Sequence, residues 1–427
     1  MANEAILKAL GKQANPSGLP VFSATEWQEF KEQYEKKEAI EALAHYIVSN
    51  NIPFPFQEIT ENDVVDKFKK LKGMDHNKLL YGYTTDITDK FNDYEYSVQK
   101  YCKDVIDINH YYNDISNYFQ QQNRLKCSGW AHKSPLGIWS SEEALKTLNW
   151  TFWRDGVVKF VDESKYREAF RLGAYVATQF KPTVAKYVYN RFNAKTVLDT
   201  SCGWGDRLAG FWASNAETYV GCDPNPNVYK TYMEQCKFYD KHIFNNDGLL
   251  MEFNACNGLE WFRYEGAKTV TIFNAPAEDI KDFPELSYDL AFTSPPYYNT
   301  ERYAEGIKEE TQSWFKYKEF DSWLNDFLFV TLEKTKNLIN PQTGVIAVNI
   351  IDANIKNRRH YVCDPMTDFM AGIGMPLQEV IGMRMKQRPK NEEGGDKEHM
   401  QDCFVEPIWV YSSSNENTLT QFERLFE

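Results

Sequence analysis

The sequence predicts an α/β protein with a mainly helical N-terminal region, and three observations predict it. From about residue 165 onward, short apolar runs alternate with helical stretches, the pattern of strands joined by crossover helices. Before that point, aromatic and aliphatic residues recur instead at three-to-four spacing, which reads as helix. The chain has 427 residues and is 42% hydrophobic, enough apolar material for a large core and two domains.

In the first region Ser23 is placed to cap a helix that carries Trp27, Phe30, Tyr34, Ile40, Leu43 and Ile47 along one stripe. A second helical run holds Tyr101, Val105, Ile108, Tyr112, Ile115 and Phe119. Between residues 127 and 141 the stretch "CSGWAHKSPLGIWSS" has the Gly, Ser and Pro content of a loop. Seven strands are expected beyond it: 195–199, 218–223, 268–274, 288–293, 344–350, 377–385 and 404–411. Only the charged "KQRPKNEEGGDKEHMQDC" joins the last two, so they are expected to form an antiparallel hairpin at the sheet edge. The segment 320–339 reads as an amphipathic helix whose Trp323, Phe327 and Leu332 face the core. The organisation expected is therefore a helical, aromatic-rich region over 1–165, a catalytic domain over 166–415 and a tail over 416–427.

Composition narrows the function. No run of 18 apolar residues appears, and the N-terminus lacks the charged-then-apolar order of a signal peptide, so a soluble cytoplasmic protein without a membrane span is expected. Eight cysteines are scattered without a C-x-x-C pair and seven histidines show no ligand spacing, so no metal site is expected. Lys and Arg number 48 against 61 Asp and Glu, a formal net charge of −13. Such a chain repels a phosphate backbone unless its positive charge is gathered locally. The densest basic spots are "KNRRH" at 356–360 and "MKQRPK" at 385–390.

The first expected strand runs into "VLDTSCGWGDRLAG" at 197–210. Gly203 and Gly205 let backbone approach a ligand closely at a strand end, while Leu208 stands where a dinucleotide fingerprint wants its third glycine. The second strand ends in Asp223, within "GCDPNP", at a distance from Asp199 that suits a ribose-binding acid. A ribose site without a pyrophosphate seat points to a different nucleoside cofactor. The stretch "DLAFTSPPYYNTERY" at 289–303 then places Ser294, Pro295, Pro296 and Tyr297 straight after an apolar strand. Two adjacent prolines there make a rigid corner, neither helix nor interior strand.

These pieces together resemble an S-adenosylmethionine-dependent methyltransferase of the class that modifies exocyclic amino groups of DNA bases. "FKP" (Phe180, Lys181, Pro182) resembles the motif with which that family holds the methionine end of the cofactor. "DTSCGWG", with Asp199, Ser201, Gly203 and Gly205, resembles its glycine-rich cofactor loop. Asp223, followed by Pro224, matches its ribose acid, and Asp279 in "AEDI" falls where the family contacts adenine. "TSPPY" matches its catalytic loop, and "FVEPIWVY" resembles its closing strand. The resemblance covers roughly residues 175 to 412 and implies a seven-stranded Rossmann-like class I methyltransferase sheet with an antiparallel C-terminal hairpin, and S-adenosylmethionine as cofactor.

The chemistry of such a loop is clear. An exocyclic amino nitrogen is a weak nucleophile because its lone pair is delocalised into the ring. Acceptors around its N–H bonds free that lone pair for in-line attack on a methyl sulfonium. The Ser294 hydroxyl and the Pro295 carbonyl are the acceptors expected, with Pro296 stiffening the loop and Tyr297 offering a flat face to a base taken out of its stack. Serine before Pro-Pro leans to cytosine N4 within the resembling family, while the order of motifs is commoner in its adenine-N6 group. Cytosine N4 in DNA is the favoured target, with adenine N6 in DNA, an RNA base, and a non-catalytic subunit as the alternatives. Ser201 replaces a customary aromatic, and little chain follows the seventh strand. Target recognition is therefore expected from residues 1–165, from loops such as 298–306, or from a partner protein or second copy bound through the N-terminal region.

Overall fold

A computed structural model describes residues 3–80, 102–153, 158–254, 258–284, 286–355, 358–385 and 404–413. The charged connector between the last two strands, the tail expected at 416–427, residues 356 and 357 of the first basic spot, and nearly all of the second lie outside the described residues. The chain divides into two compact units that interleave along the sequence. One comprises Met1–Ile59, Gln121–Thr178 and Glu301–Glu305; the other comprises Thr60–Gln120, Gln179–Thr300 and Gly306–Glu427.

The first unit is helical, as its spacing predicts. Ser23 caps helix Ala24–Gln33 in a reciprocal box with Glu26, each side chain bonding the other's backbone N–H. The expected long stripe is broken, however. Tyr34 and Glu35 are extended, and a new helix runs over Lys36–Ser49 because the Glu35 carboxylate accepts from the Lys37 and Glu38 N–H groups at 2.7 and 3.2 Å. An acid that satisfies two orphan N–H donors starts a helix better than it continues one. Trp27, Phe30, Ile40, Leu43 and Ile47 nevertheless all enter one core with Phe22, Trp139, Tyr166 and Phe170.

The second unit is built on a ten-stranded sheet. In chain order its strands are β1 (Cys102–Asp107), β2 (Thr196–Asp199), β3 (Thr218–Cys222), β4 (Leu249–Asn254), β5 (Glu260–Glu265), β6 (Thr269–Phe273), β7 (Leu290–Thr293), β8 (Val345–Asn349), β9 (Leu377–Met385) and β10 (Phe404–Ser412). They lie in the order β1-β9-β10-β8-β7-β2-β3-β6-β5-β4. The central strands β8, β7, β2, β3 and β6 are parallel, and their Val, Ile and Leu side chains are buried. This is the Rossmann-like sheet with an antiparallel C-terminal hairpin that the methyltransferase resemblance implies.

All seven expected strands form, and three more join them. The residues around Val105 were expected to be helical and are β1, because its edge pairs in parallel with β9, and consecutive β-branched Val105 and Ile106, both buried, fit a strand. Helix resumes only at Asp114–Lys126. β4 and β5 extend the other end as an antiparallel ribbon on β6, where Trp261 stacks between Phe253 and Phe273 at 4.0 and 5.7 Å. The C-terminal hairpin is not the edge expected: β10 lies between β8 and β9, and β1 covers β9. Helical residues 320–338 follow the expectation, with Trp323, Phe327 and Leu332 buried. Among the described residues no helix is long and apolar enough to cross a membrane.

Candidate functional site

Chain order reverses at β2, whose neighbours are β3 on one side and β7 on the other. In an open α/β sheet a ligand crevice opens at such a switch point, outside the carboxyl ends of the strands. The glycine loop leaves β2 there, and the Ser294-Pro295-Pro296-Tyr297 loop leaves β7. The hydroxyls of Thr200 and Thr293 join the two loops at 3.1 Å.

The glycine loop is held from beneath. Asp199, with no exposed surface, pairs with Arg207 at 2.8 Å and accepts from the Tyr219 hydroxyl at 2.6 Å and the Ser201 N–H at 3.1 Å. Its carboxylate is thus committed to shaping the loop, and Arg207 also donates to the Ser201 carbonyl. Gly203 and Gly205 both have positive φ, +60° and +75°. A Cβ on Gly205 would lie 2.5 Å from the Gln235 amide and would sit on a backbone at φ +75°, so the turn into helix Asp206–Ala213 favours glycine there.

Asp223 stands half-buried just past the end of β3. Its carboxylate accepts from Gly203 N–H at 2.8 Å and Asn225 N–H at 2.9 Å, tying the ribose candidate to the glycine loop. Burial pushes this carboxyl up to about 6, against the pull of those two donors. Pro224 follows it at the surface of the same turn. Phe180 packs its ring edge against Phe292 of β7 at 5.6 Å, and the Arg207 guanidinium lies over its face at 5.5 Å. Pro182 opens helix Pro182–Arg191, and buried Lys181 donates to the Gln179 carbonyl.

The "AEDI" turn divides its acids differently from expectation. Asp279 keeps 55% of its side chain exposed and pairs with Lys316 at 2.7 Å, whereas Glu278 keeps only 4%. Glu278 accepts from the same ammonium at 3.1 Å and from the Tyr317 hydroxyl at 3.0 Å, and burial raises its carboxyl above the usual range. Lys316 therefore fastens the segment after the proline loop to the strand end where the adenine contact was expected.

At the proline loop two residues enter that sequence reading did not single out. Ser294 Oγ donates to Asn349 Oδ1 at 3.2 Å, and the Tyr297 hydroxyl donates to Glu406 at 2.9 Å. Asn349 ends β8 and Glu406 lies in β10, so three strands converge on the loop. Burial, with Glu406 adding to it, holds the Tyr297 phenol well above its ordinary range, so this hydroxyl stays protonated. The signals were present but short: a lone Asn closing the apolar run "GVIAVN", and a Glu-Pro pair inside "FVEPIWVY". Glu301, in the stretch 298–306 expected to be a loop, is a buried acid of the first unit that accepts from the Thr178 N–H at 3.1 Å and from Tyr175.

Fold and site define a Rossmann-like α/β protein in which a glycine loop and a proline loop meet at the switch point of the sheet. No protein-family model matches the chain, and no curated protein does. Among solved structures, similar chains include an S-adenosylmethionine-dependent O-methyltransferase of Thermotoga maritima (9% identity over 58% of this chain and 72% of that one, TM-score 0.31). Others are a ribosomal protein L11 methylase of Lactobacillus delbrueckii subsp. bulgaricus (11%, 54% and 78%, 0.29) and TrmN of Thermus thermophilus (12%, 55% and 49%, 0.29). Likeness at this level says nothing about substrate.

Proposed function

We propose that this protein is an S-adenosylmethionine-dependent methyltransferase that acts on an exocyclic amino group of a nucleic-acid base, with cytosine N4 in DNA the favoured target. The observation that carries the reading is the Thr200–Thr293 hydrogen bond, because it fastens a glycine loop suited to a nucleoside cofactor against a Ser-Pro-Pro-Tyr acceptor loop on the adjacent strand.

The residues present fit the cofactor. Asp223 is half-buried at a strand end, beside Gly203, whose N–H it accepts from and which carries no side chain, and it is the residue to hold the ribose hydroxyls. Phe180, Lys181 and Pro182 border the methionine end, Gly203 and Gly205 with Ser201 the sulfonium side, and Pro224, Glu278 and Asp279 the adenine. The cofactor supplies an electrophilic methyl group. This chain's own residues then hold the target nitrogen. Ser294 and the Pro295 carbonyl accept from its N–H bonds, Pro296 fixes the turn, and the Tyr297 ring, anchored through its hydroxyl, faces the base. No side chain needs to attack the base, which accords with the four cysteines described in this unit beside Cys102 being buried.

One exposed cation stands near the proline loop for a phosphate group. The ribbon formed by Ala353–Ile355 and Arg358–His360 follows β8, presents exposed Arg358, and packs His360 against Tyr298 at 5.0 Å, one residue beyond Tyr297. Adenine N6 and an RNA base remain the alternatives. An RNA reading would stack unpaired bases on aromatics of the first unit, where Trp27 and Phe30 are core residues but Trp150 and Phe160 are exposed. Recognition through the first unit, alone or with a partner protein, belongs to the same proposal.

Mass spectrometry of nucleosides from cells expressing the wild type and the Ser294→Ala/Tyr297→Ala double variant tests it. N4-methylcytosine in DNA with the wild type alone supports the favoured target, and N6-methyladenine or a methylated RNA base selects an alternative. No new mark in DNA or RNA contradicts the proposal.

A further inference from the structure

The direction of the hydrogen bond at Ser294 follows from one neighbouring amide. Asn349 is 1% exposed, and its amide faces the Pro407 carbonyl at 3.0 Å. A carbonyl only accepts, so the facing atom must be the amide nitrogen, which also donates to Glu406 at 3.2 Å. Oδ1 is then the atom that faces Ser294 at 3.2 Å, and an amide oxygen only accepts. Ser294 must therefore donate. The Tyr297 hydroxyl donates to Glu406 at 2.9 Å and lies 3.5 Å from the same Asn349 Oδ1, so its proton too is directed into the protein.

Both hydroxyl protons are consequently turned into the protein, leaving the Ser294 lone pairs for a ligand. This matters because an unanchored serine is as good a donor as an acceptor. A hydroxyl that donated to the substrate amino nitrogen would tie up the lone pair that has to attack. We infer that Asn349 and Glu406 are positioning residues which lock Ser294 as an acceptor, Asn349 directly and Glu406 by orienting the Asn349 amide and anchoring Tyr297. The inference rests on the proposed amino-methyltransferase reading and names what makes a serine suffice in the acceptor position.

Steady-state methylation of nucleic acid and calorimetric binding of S-adenosylmethionine, on the purified full chain, test it with four proteins beside the wild type: N349L, N349D, S294A and S294A/N349L. N349L is expected to lower kcat about a hundredfold, the scale of losing one preorganised polar contact, with KM and cofactor affinity little changed. The double variant is expected to match S294A, since Asn349 acts through Ser294. In N349D the introduced carboxyl imitates the amide only while protonated, donating to Pro407 or Glu406 and accepting from Ser294. Above pH 6 and at saturating cofactor its activity is expected to fall as pH rises, where the wild type stays level.

The inference is overturned if N349L deepens the S294A loss by its own full factor, if N349D tracks the wild-type pH profile, or if cofactor binding is lost together with kcat. Failure of the underlying reading looks different: the wild type binds cofactor yet methylates no base in DNA or RNA, and both proposals then fall together.

Discussion

Thr200 and Thr293 meet hydroxyl to hydroxyl at 3.1 Å, each almost fully buried, at the carboxyl ends of neighbouring parallel strands. Two hydroxyls can satisfy each other only as a pair. Thr293→Val leaves Thr200 without that partner and is expected to cost about 1–2 kcal/mol, whereas Thr200→Val/Thr293→Val replaces both and is expected to cost less than the single change. Urea unfolding of the three proteins checks the ordering; a double variant less stable than Thr293→Val contradicts it.

Asp223 gives the site a pH dependence. Burial raises its carboxyl to about 6, so it is ionised above that pH and protonated below it. Ribose hydroxyls donate to the ionised form. The proposed cofactor is therefore expected to bind with constant affinity above pH 6 and about tenfold more weakly for each pH unit below it, since protonation competes with binding. Asp223→Asn should bind weakly and without this slope. Calorimetry between pH 5 and 8 decides.

Asp199 serves the same loop by another route. Its carboxylate and the Arg207 guanidinium form an ion pair with almost no solvent contact. Asp199→Asn removes one charge and leaves the other buried, and the expected cost is about 3–5 kcal/mol. The variant should lose stability in urea as well as cofactor affinity, whereas Asp223→Asn should lose affinity far more than stability.

Tyr297 has a ring and a hydroxyl with separable tasks. Tyr297→Phe keeps the face offered to a base and removes the bond to Glu406, so a loss of roughly 1–2 kcal/mol in stability with a modest fall in kcat is expected. Tyr297→Ala should cost much more activity. Because burial and Glu406 hold the phenol protonated, wild-type activity should show no loss from ionisation of Tyr297 up to pH 10. A wild-type profile with a basic limb below that pH, absent in Tyr297→Phe, contradicts this.

The central strands were legible because β2, β3 and β6 to β8 are short, β-branched and bounded by turns, a pattern set by burial on both faces. β1 was not, since its pairing partner β9 lies far along the chain and its own neighbourhood carries helical spacing. β4 and β5 were missed because glutamates and an arginine interrupt their apolar alternation. At the site, Ser294, Tyr297, Asp223 and the two glycines were readable as motifs. Asn349 and Glu406 were not, since one amide and one acid in separate strands form no local pattern until β8, β10 and β7 lie side by side. Nor does the sequence show that Lys316 pairs with Asp279, or that Asp199 spends its charge on Arg207.

Methyl transfer to a base amino nitrogen at the loop from Ser294 to Tyr297 leaves a product that can be weighed. The most direct measurement incubates the purified chain with S-adenosylmethionine carrying a deuterated methyl group and with mixed-sequence DNA, then digests the DNA and reads its nucleosides by mass spectrometry. The account predicts deuterated N4-methylcytosine with the wild type and at least a hundredfold less with Ser294→Ala, the scale of a lost preorganised acceptor. Equal labelling by Ser294→Ala, or label only outside base amino groups, would contradict it.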